Sequence, residues 1–570
     1  MGLLRQTFRW ASGLLALGVL LGWSPAQEVT RGAGQSADPE QGFAVASRLV
    51  VDRCSRCHVA EEEGRLSRIS YLRKTPEGWQ TSIRRMVALH GVRLTQEEAR
   101  EIVRYLAGEQ GLAPEELRPG LFEVERRMMD YDYPGDSGVE FTCIQCHSMG
   151  RVITQRRTEE EWGLLLATHR ALYPLVDFQA FRRPGRAPEE GDARHPMEVA
   201  IDHLSETFPL RTPEWSAWSA TKRAPRLAGT WALSGYEPGK GPIYGTVTVE
   251  ADRSDPEAFT TSAEYVYAES GERVRRSGEA LVYTGYQWRG RSNAGSETEL
   301  REVMFVERDQ SEMTGRWFTG DYDEIGSDVT LRRASGPILT GVHPRALERG
   351  AAAEVRIYGD ALPAGAAPGD LDFGAGVSVT SIEDSSEGGL RVRLSIDDDA
   401  PIGARDAFAF GSSLPEALVV HDGVDRIEVM PRAGMARVGG ANFPKAYQTF
   451  EAIGFDDGRD GEAGTEDDLD LGRVDASWRL EEYAATYGDD DVEFVGTLRQ
   501  DGVFVPAEDG PNPNRSGNRN NIGDVWVVAT HRSGADELTA RAQLIVTVPL
   551  YMRFDPWRPV GEDRPVSEEQ

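Results

Sequence analysis

The sequence predicts a multidomain protein in which an all-α region is followed by all-β domains. Two observations carry that expectation. Up to about Pro213 apolar residues recur at helical spacing. Beyond it, short alternating runs are separated by Gly, Asp, Asn and Pro, the texture of strands and turns. In addition, all four cysteines of the 570-residue chain fall in the first part, at positions 54, 57, 143 and 146. The expected organisation is a leader over 1–26, a helical region over 27–212 built of two modules (about 40–115 and 120–210), an antiparallel β-barrel over 213–335, an immunoglobulin-like β-sandwich over 336–423, and a second such sandwich with long loop inserts over 424–570.

The leader has Arg5 and Arg9 ahead of an apolar run from Ala11 to Leu21, then Ser24-Pro25-Ala26 at a cleavage position. That is the shape of a secretory signal peptide. The run is short of the ~20 residues a spanning helix needs, so cleavage outweighs an uncleaved anchor, and no later segment reaches transmembrane length. An exported, periplasmic protein with no membrane span after cleavage is expected. The net charge of −30 argues against nucleic acid, which demands clustered Lys and Arg. With 39% hydrophobic and 27% charged residues, the chain as a whole is globular.

Two stretches, "VDRCSRCHVA" from Val51 and "FTCIQCHSMG" from Phe141, each contain C-x-x-C-H and together use every cysteine. Two thiols three positions apart can add to the two vinyl groups of one haem, and the next residue, His, then reaches the iron. A disulfide framework would place no demand for His after each pair. A shared zinc site would have to join pairs that lie far apart in the sequence. Two covalent haem c groups are therefore expected, on Cys54 and Cys57 and on Cys143 and Cys146, with His58 and His147 as proximal ligands.

Each iron needs a sixth ligand or an open position. The candidates are Met86, His90, Met128, Met129, Met149, His169, His195 and His203. The two segments read as repeats. After each motif a Thr, a Glu and a Trp open a helical pattern; seven residues after Trp79 comes Met86, and seven after Trp162 comes His169. Seven residues is two helical turns, so each pair shares a face. Closing helices follow, with Ala99, Ile102, Val103 and Leu106 in one and Met197, Ala200, Ile201 and Leu204 in the other. Each module thus looks like a small class I cytochrome c. The assignment is His58 with Met86 for the first iron and His147 with His169 for the second. His90, one turn beyond Met86 on the same face, stands as the alternative. Met149 sits too close to His147 to cross the ring. Met128 and Met129 read as packing around the link between modules, and His195 and His203 as structural. Thioether ligation raises the potential relative to a second imidazole, so electrons are expected to run from the second haem to the first.

In the β region, an eight-stranded meander is expected, with Trp231, Tyr236, Tyr283, Trp288, Trp317 and Phe318 as its aromatic core; a filled core outweighs a ligand cavity. Some seven short strands follow before Asp422. The acidic stretch Asp456 to Gly472 lacks the EF-hand spacing, so a solvated loop outweighs a Ca²⁺ site. The turn-rich Glu508 to Asn521 serves a partner or is a surface excursion. No G-x-S-x-G, H-E-x-x-H or phosphate loop is present.

This order of regions, together with "CSRCH", "CIQCH", the helix containing "THRALYP", "HPMEVAIDHLSETFPLRTPEW" and "DGEAGTEDDLDLG", resembles the alpha subunit of quinohemoprotein amine dehydrogenase over essentially the whole mature chain. The resemblance implies a periplasmic heterotrimer that oxidises primary amines to aldehyde and ammonia. It implies a cysteine tryptophylquinone in a small gamma subunit, a propeller-shaped beta subunit, and an alpha subunit that passes electrons through its haems to a small cytochrome or blue copper acceptor. By that resemblance no amine-oxidising residue lies in this chain. Two other readings compete: a free-standing exported dihaem carrier whose β domains bind a partner, and a dihaem peroxidase, which needs one open iron position and is opposed by two six-coordinate haems.

Overall fold

A computed structural model describes residues 40–120, 133, 135–144, 147, 149–173, 176–181, 194–295, 299–319, 326–383, 389–440, 442–484, 489–534 and 536–549. The leader, Met128, Met129, Cys146, most of the link between the modules and the Pro/Gly-rich loop before His195 lie outside the described residues. Among those described, no helix is long and apolar enough to cross a membrane. Pro39–Gln570 forms one compact unit.

The N-terminal region is helical. Its helices are α1 (Arg48–Cys54), α2 (Pro76–His90), α3 (Gln96–Glu109), α4 (Pro114–Leu117), α5 (Ser137–Ile144), α6 (Gly150–Ile153), α7 (Glu159–Leu172), α8 (Val176–Gln179), α9 (Pro196–Thr207) and α10 (Pro213–Thr221). Helices α2 and α7 start alike: Thr75 and Thr158 each accept a backbone N–H of the first turn, from Gly78 and Glu161. Each then buries its Trp, whose indole donates to the carbonyl of the residue capping the closing helix. Trp79 reaches Gln110 at 3.0 Å after α3, and Trp162 reaches Phe208 at 3.3 Å after α9. Each module has its own apolar core, around Trp79, Ile83, Ile102 and Leu106 in the first and Met149, Trp162, Leu166 and Leu204 in the second.

A three-residue strand precedes each Thr cap. These strands, β1 (Leu72–Lys74) and β2 (Gln155–Arg157), pair antiparallel with Arg73 opposite Arg156. The modules repeat with a spacing of 83 positions, as in Trp79 and Trp162 or Arg73 and Arg156. Arg73 therefore faces its own counterpart, and a local two-fold axis runs through the ladder, as in an isologous interface. One buried carboxylate serves both arginines. Glu116 takes two bonds of 2.7 Å from Arg73 and lies 3.2 Å from Arg156; it also accepts from the Ala113 amide and the Thr212 hydroxyl. Arg73 spends its remaining donors on the carbonyls of Leu210 and Gly111 and on Thr212.

Beyond α10, eight strands close into a barrel: β3 (Gly229–Glu237), β4 (Gly241–Ala251), β5 (Ala258–Tyr267), β6 (Arg273–Tyr283), β7 (Gln287–Asn293), β8 (Glu299–Val306), β9 (Glu312–Thr319) and β10 (Gly326–Arg333). Sequential strands pair antiparallel and β10 returns to β3. Closure removes exposed sheet edges. Trp231, Trp288, Trp317, Tyr265, Tyr286 and Phe305 join the interior cluster, which is completed by Trp215 and Trp218 from α10 and by Leu112, Ala113 and Leu117 from the first haem-side module. Side chains fill this interior. Three aromatics expected there lie elsewhere. Residues on one face of a strand share parity, and Trp231 and Leu233 point inward, so Tyr236 points outward and donates to Glu451 at 3.0 Å. Tyr283, out of step with Val282, packs on the first module's core. Phe318, next to inward Trp317, lies buried beneath Arg301 at 4.6 Å.

Two four-stranded sheets follow. One orders Ile338–His343, Ala352–Asp360, Gly389–Ile396 and Val377–Glu383; the other orders Ala346–Glu348, Ser412–His421, Gly403–Ala409 and Leu371–Asp372. Both contribute to one core around Ile357, Val392 and Leu418. The last region has one four-stranded and two three-stranded sheets around Phe450, Phe504 and Val527. Its acidic stretch is a hairpin loop in which Asp460, Glu462, Glu466 and Asp470 are exposed, while Arg426 bonds Asp457 at 2.7 Å and pairs with Asp468, and Asp468 also takes the Gly464 amide at 2.8 Å.

Breaking a buried ion pair by removing one partner costs about 3–5 kcal/mol. Glu116→Gln should lower the unfolding free energy by about that amount in denaturant titrations. Burial alone would push the Glu116 carboxyl up, but the two guanidiniums and the Ala113 amide outweigh it and hold it down to about 2. Because the folded value is depressed, this stabilisation is complete above the ordinary Glu range and fades as pH falls toward 2. Over that span it amounts to about 3 kcal/mol. An acid titration of stability should show a loss between about pH 4.5 and 2 that is absent in Glu116→Gln.

Candidate haem sites

Helix α1 ends at Cys54, and Cys57 and His58 lie in the turn that follows; the amides of Cys57 and His58 both return to the Cys54 carbonyl. Helix α5 carries Cys143, with His147 after its end. Burial pushes the Cys54 thiol up.

The imidazole orientations are informative. His58 Nδ1 lies 2.9 Å from the Ser67 carbonyl, and His169 Nδ1 lies 2.9 Å from the Leu165 carbonyl one turn earlier on α7. A carbonyl only accepts, so Nδ1 carries the proton in both rings and Nε2 keeps its lone pair. That is how metal-binding histidines are commonly set. Burial pushes both imidazoliums below their ordinary range, against the opposing pull of these carbonyl bonds. The neutral ring that metal binding requires is thereby favoured.

The rings of His147 and His169 have centroids 6.3 Å apart and are tilted 48° to one another. An iron bonded on either side at ~2 Å, with ~1.1 Å more from each nitrogen to its ring centre, needs a separation of ~6 Å. In the first module, Met86 is half-buried on α2 and outside that module's apolar core cluster. His90, at the exposed end of α2, also comes near enough to His58 for its charge to act on that ring. Met149 is buried in the second core, His203 bonds the Tyr133 hydroxyl at 2.9 Å, and His195 caps α9 by accepting the Met197 amide at 3.2 Å. These three have structural employment.

A porphyrin also needs apolar walls. Val59, Leu89, Phe141, Ile144 and Tyr173 are five of the seven large apolar side chains left exposed among the described residues. Each lies within four positions of a candidate thiol or ligand, where a flat apolar group would cover it.

Sequence reasoning missed one feature. The segments "LRKTPEGW" from Leu72 and "QRRTEEEW" from Gln155 share R-[KR]-T-x-E-x-W. The repeated basic pair signals a charged cluster between the modules. Lys74 lies 5.6 Å from the Trp79 ring and Arg157 5.5 Å from the Trp162 ring, both cations buried. Glu161 joins them, 2.5 Å from Arg68 and 3.6 Å from Arg157.

Among solved structures, a redesigned β-barrel aligns at 14% identity over 19% of this chain and 92% of its own, with a TM-score of 0.17. A SusE-like surface located polysaccharide binding protein from Bacteroides thetaiotaomicron aligns at 8% identity over 57% of this chain and 68% of its own, with a TM-score of 0.13. No curated protein matches the chain. Family models are decisive. Residues 44–215 match the haem-binding region of the quinohemoprotein amine dehydrogenase alpha subunit, and 224–334, 336–422 and 427–557 match its domains II, III and IV. The helical region that holds the preset imidazoles is the haem-binding one, the closed barrel is domain II, and the chain belongs to the quinohemoprotein amine dehydrogenase alpha-subunit family.

Proposed function

We propose that this chain is the electron-transfer subunit of a periplasmic quinohemoprotein amine dehydrogenase. Two haem c groups, attached at Cys54 and Cys57 and at Cys143 and Cys146, take electrons from a peptidyl quinone in a gamma subunit. They deliver them to a small cytochrome or blue copper acceptor while primary amines are deaminated. A beta propeller completes the heterotrimer. The closeness of the His147 and His169 rings, with centroids 6.3 Å apart, is the observation that carries the reading.

When bound, haem supplies a one-electron couple. The chain's own residues hold and tune it. The Ser67 and Leu165 carbonyls fix the tautomers of His58 and His169 and so aim Nε2 at the metal position. Met86 completes the first site as a thioether. That ligand set makes the first haem the more oxidising and gives electron flow a direction, second to first. The amine chemistry belongs to the partner that bears the quinone.

Three measurements test this. The native complex should yield two haems per chain in a pyridine haemochrome assay and co-purify with a short quinone-staining chain; without that chain the amine dehydrogenase reading fails. Met86→Ala should change the spectrum and lower the potential of the first haem, with His90→Ala leaving both unaltered. The reverse pattern would move the ligand to His90. His169→Ala should convert the second haem from low-spin to high-spin.

A further inference from the structure

Three cations meet where the modules join, and a fourth, Arg85, is close enough to act on two of them. Lys74 and Arg157 occupy equivalent positions of the repeat, each at the end of its paired strand and each more than nine-tenths buried. Arg68 comes from the loop after the first C-x-x-C-H motif. Glu161 is the carboxylate that pairs with Arg68 and Arg157. The other contacts are neutral: Lys74 Nζ donates to Ser82 Oγ at 2.7 Å, and Arg157 donates to the Gln155 side-chain oxygen at 2.8 and 2.9 Å. Buried charge that lacks a counter-charge costs several kcal/mol per ion. Two strongly buried cations and a third half-exposed one, against the Glu161 carboxylate, leave a positive excess that an anion would settle.

The cluster lies near enough to candidate ligands of both modules for its charges to act on them. Glu161 and Arg68 act on His58, whereas Arg157 and Arg85 act on His169. Glu161 stands on α7 of the second module, yet its charge reaches His58 of the first. A group held by His58 or His169 would extend through the neighbourhood in which these cations act. A haem edge carries two carboxylates.

We infer that Lys74, Arg157 and Arg68 form a shared cradle for haem propionate carboxylates at the junction of the two modules, and that this cradle raises the reduction potential of the haem it holds. The inference rests on the haem reading above. Lys74 gives a point charge and Arg157 a flat fork suited to a carboxylate. Glu161 holds Arg68 against the cluster. The potential follows from Coulomb's law: fixed positive charge near the iron disfavours the ferric state, and a dry site strengthens the effect.

The test uses the full haem-loaded chain in its native complex. Lys74→Met keeps the apolar stem over Trp79 and removes the charge, and Lys74→Arg keeps the charge. The readings are the midpoint potentials by spectropotentiometry and the propionate bending band by resonance Raman. Lys74→Met should lower the potential of at least one haem and shift that band, and Lys74→Arg should restore both. A band unmoved in Lys74→Met overturns the proposal, even where the potential falls, because the cation then acts without touching propionate. If Lys74→Met fails to accumulate, Arg157→Gln takes the same two readings with Arg157→Lys as its conservative partner. A wild-type chain without haem in the haemochrome assay would fail the haem reading itself, before the cradle is tried.

Discussion

Everything in the helical region is arranged around one carboxylate. Glu116 is buried, and so are Arg73 and Arg156, the two arginines it serves. Leaving any of the three unpaired costs several kcal/mol. The pairing fixes β1 against β2, because Arg73 and Arg156 are opposite one another only in that register. The register in turn sets the two Thr caps, the two ligand helices and the two Trp anchors in a two-fold relation. Glu116 also sits on α4, within the 112–117 segment that contributes Leu112, Ala113 and Leu117 to the barrel interior. One interaction therefore ties module to module and both to the barrel.

The barrel explains why small haem-binding modules can be this precise. Small units bury a low fraction of their surface and are marginal by themselves. Here the first module borrows from its neighbour. Tyr283 packs on its core, Tyr286 donates to the Leu112 carbonyl at 2.9 Å, Arg289 pairs with buried Glu77 at the start of α2, and Arg104 grips Asp255 and Glu257. Burial alone would push Glu77 up, and the Arg289 guanidinium outweighs it to keep the carboxyl ionised. The ligand helix thus starts on a charge supplied by a barrel strand.

Much of this was legible in the sequence, and the limits have physical causes. Helices α2, α3, α7 and α9 announce themselves through Thr or Pro starts and apolar periodicity, and the barrel strands through alternation. The spacing from Trp162 picked out His169, whose ring lies 6.3 Å from that of His147. Strand parity was harder to use. Tyr236 and Tyr283 read as core because they are aromatic, but their neighbours fix the inward face. Strands β1 and β2 have three residues each, too few for any periodic signal, so the ladder and its two-fold were hidden. Nothing local marks Arg73 and Arg156 as buried, because Glu116, some forty residues from each, meets them only through the fold. The tautomer of His169 was accessible in principle, since Leu165 lies one helical turn before it. That of His58 depends on a loop that brings Ser67 back, which only the fold supplies.

The symmetry has a further consequence for the proposed relay. A two-fold pair of identical modules would give two equivalent haems and no preferred direction. This chain keeps the frame and varies the contents. At equivalent positions stand Met86 and His169, Lys74 and Arg157, Gly78 and Glu161. In the proposed relay the first exchange would alter the metal's donor, and the others alter the charge around it. Glu161 has Gly78 as its counterpart in the first module, so this carboxylate belongs to one side while acting on His58 of the other. Asymmetry is thus written in side chains, and geometry is kept by the backbone. Direction in such a relay can be tuned by single substitutions without disturbing the ladder that holds the two halves in register.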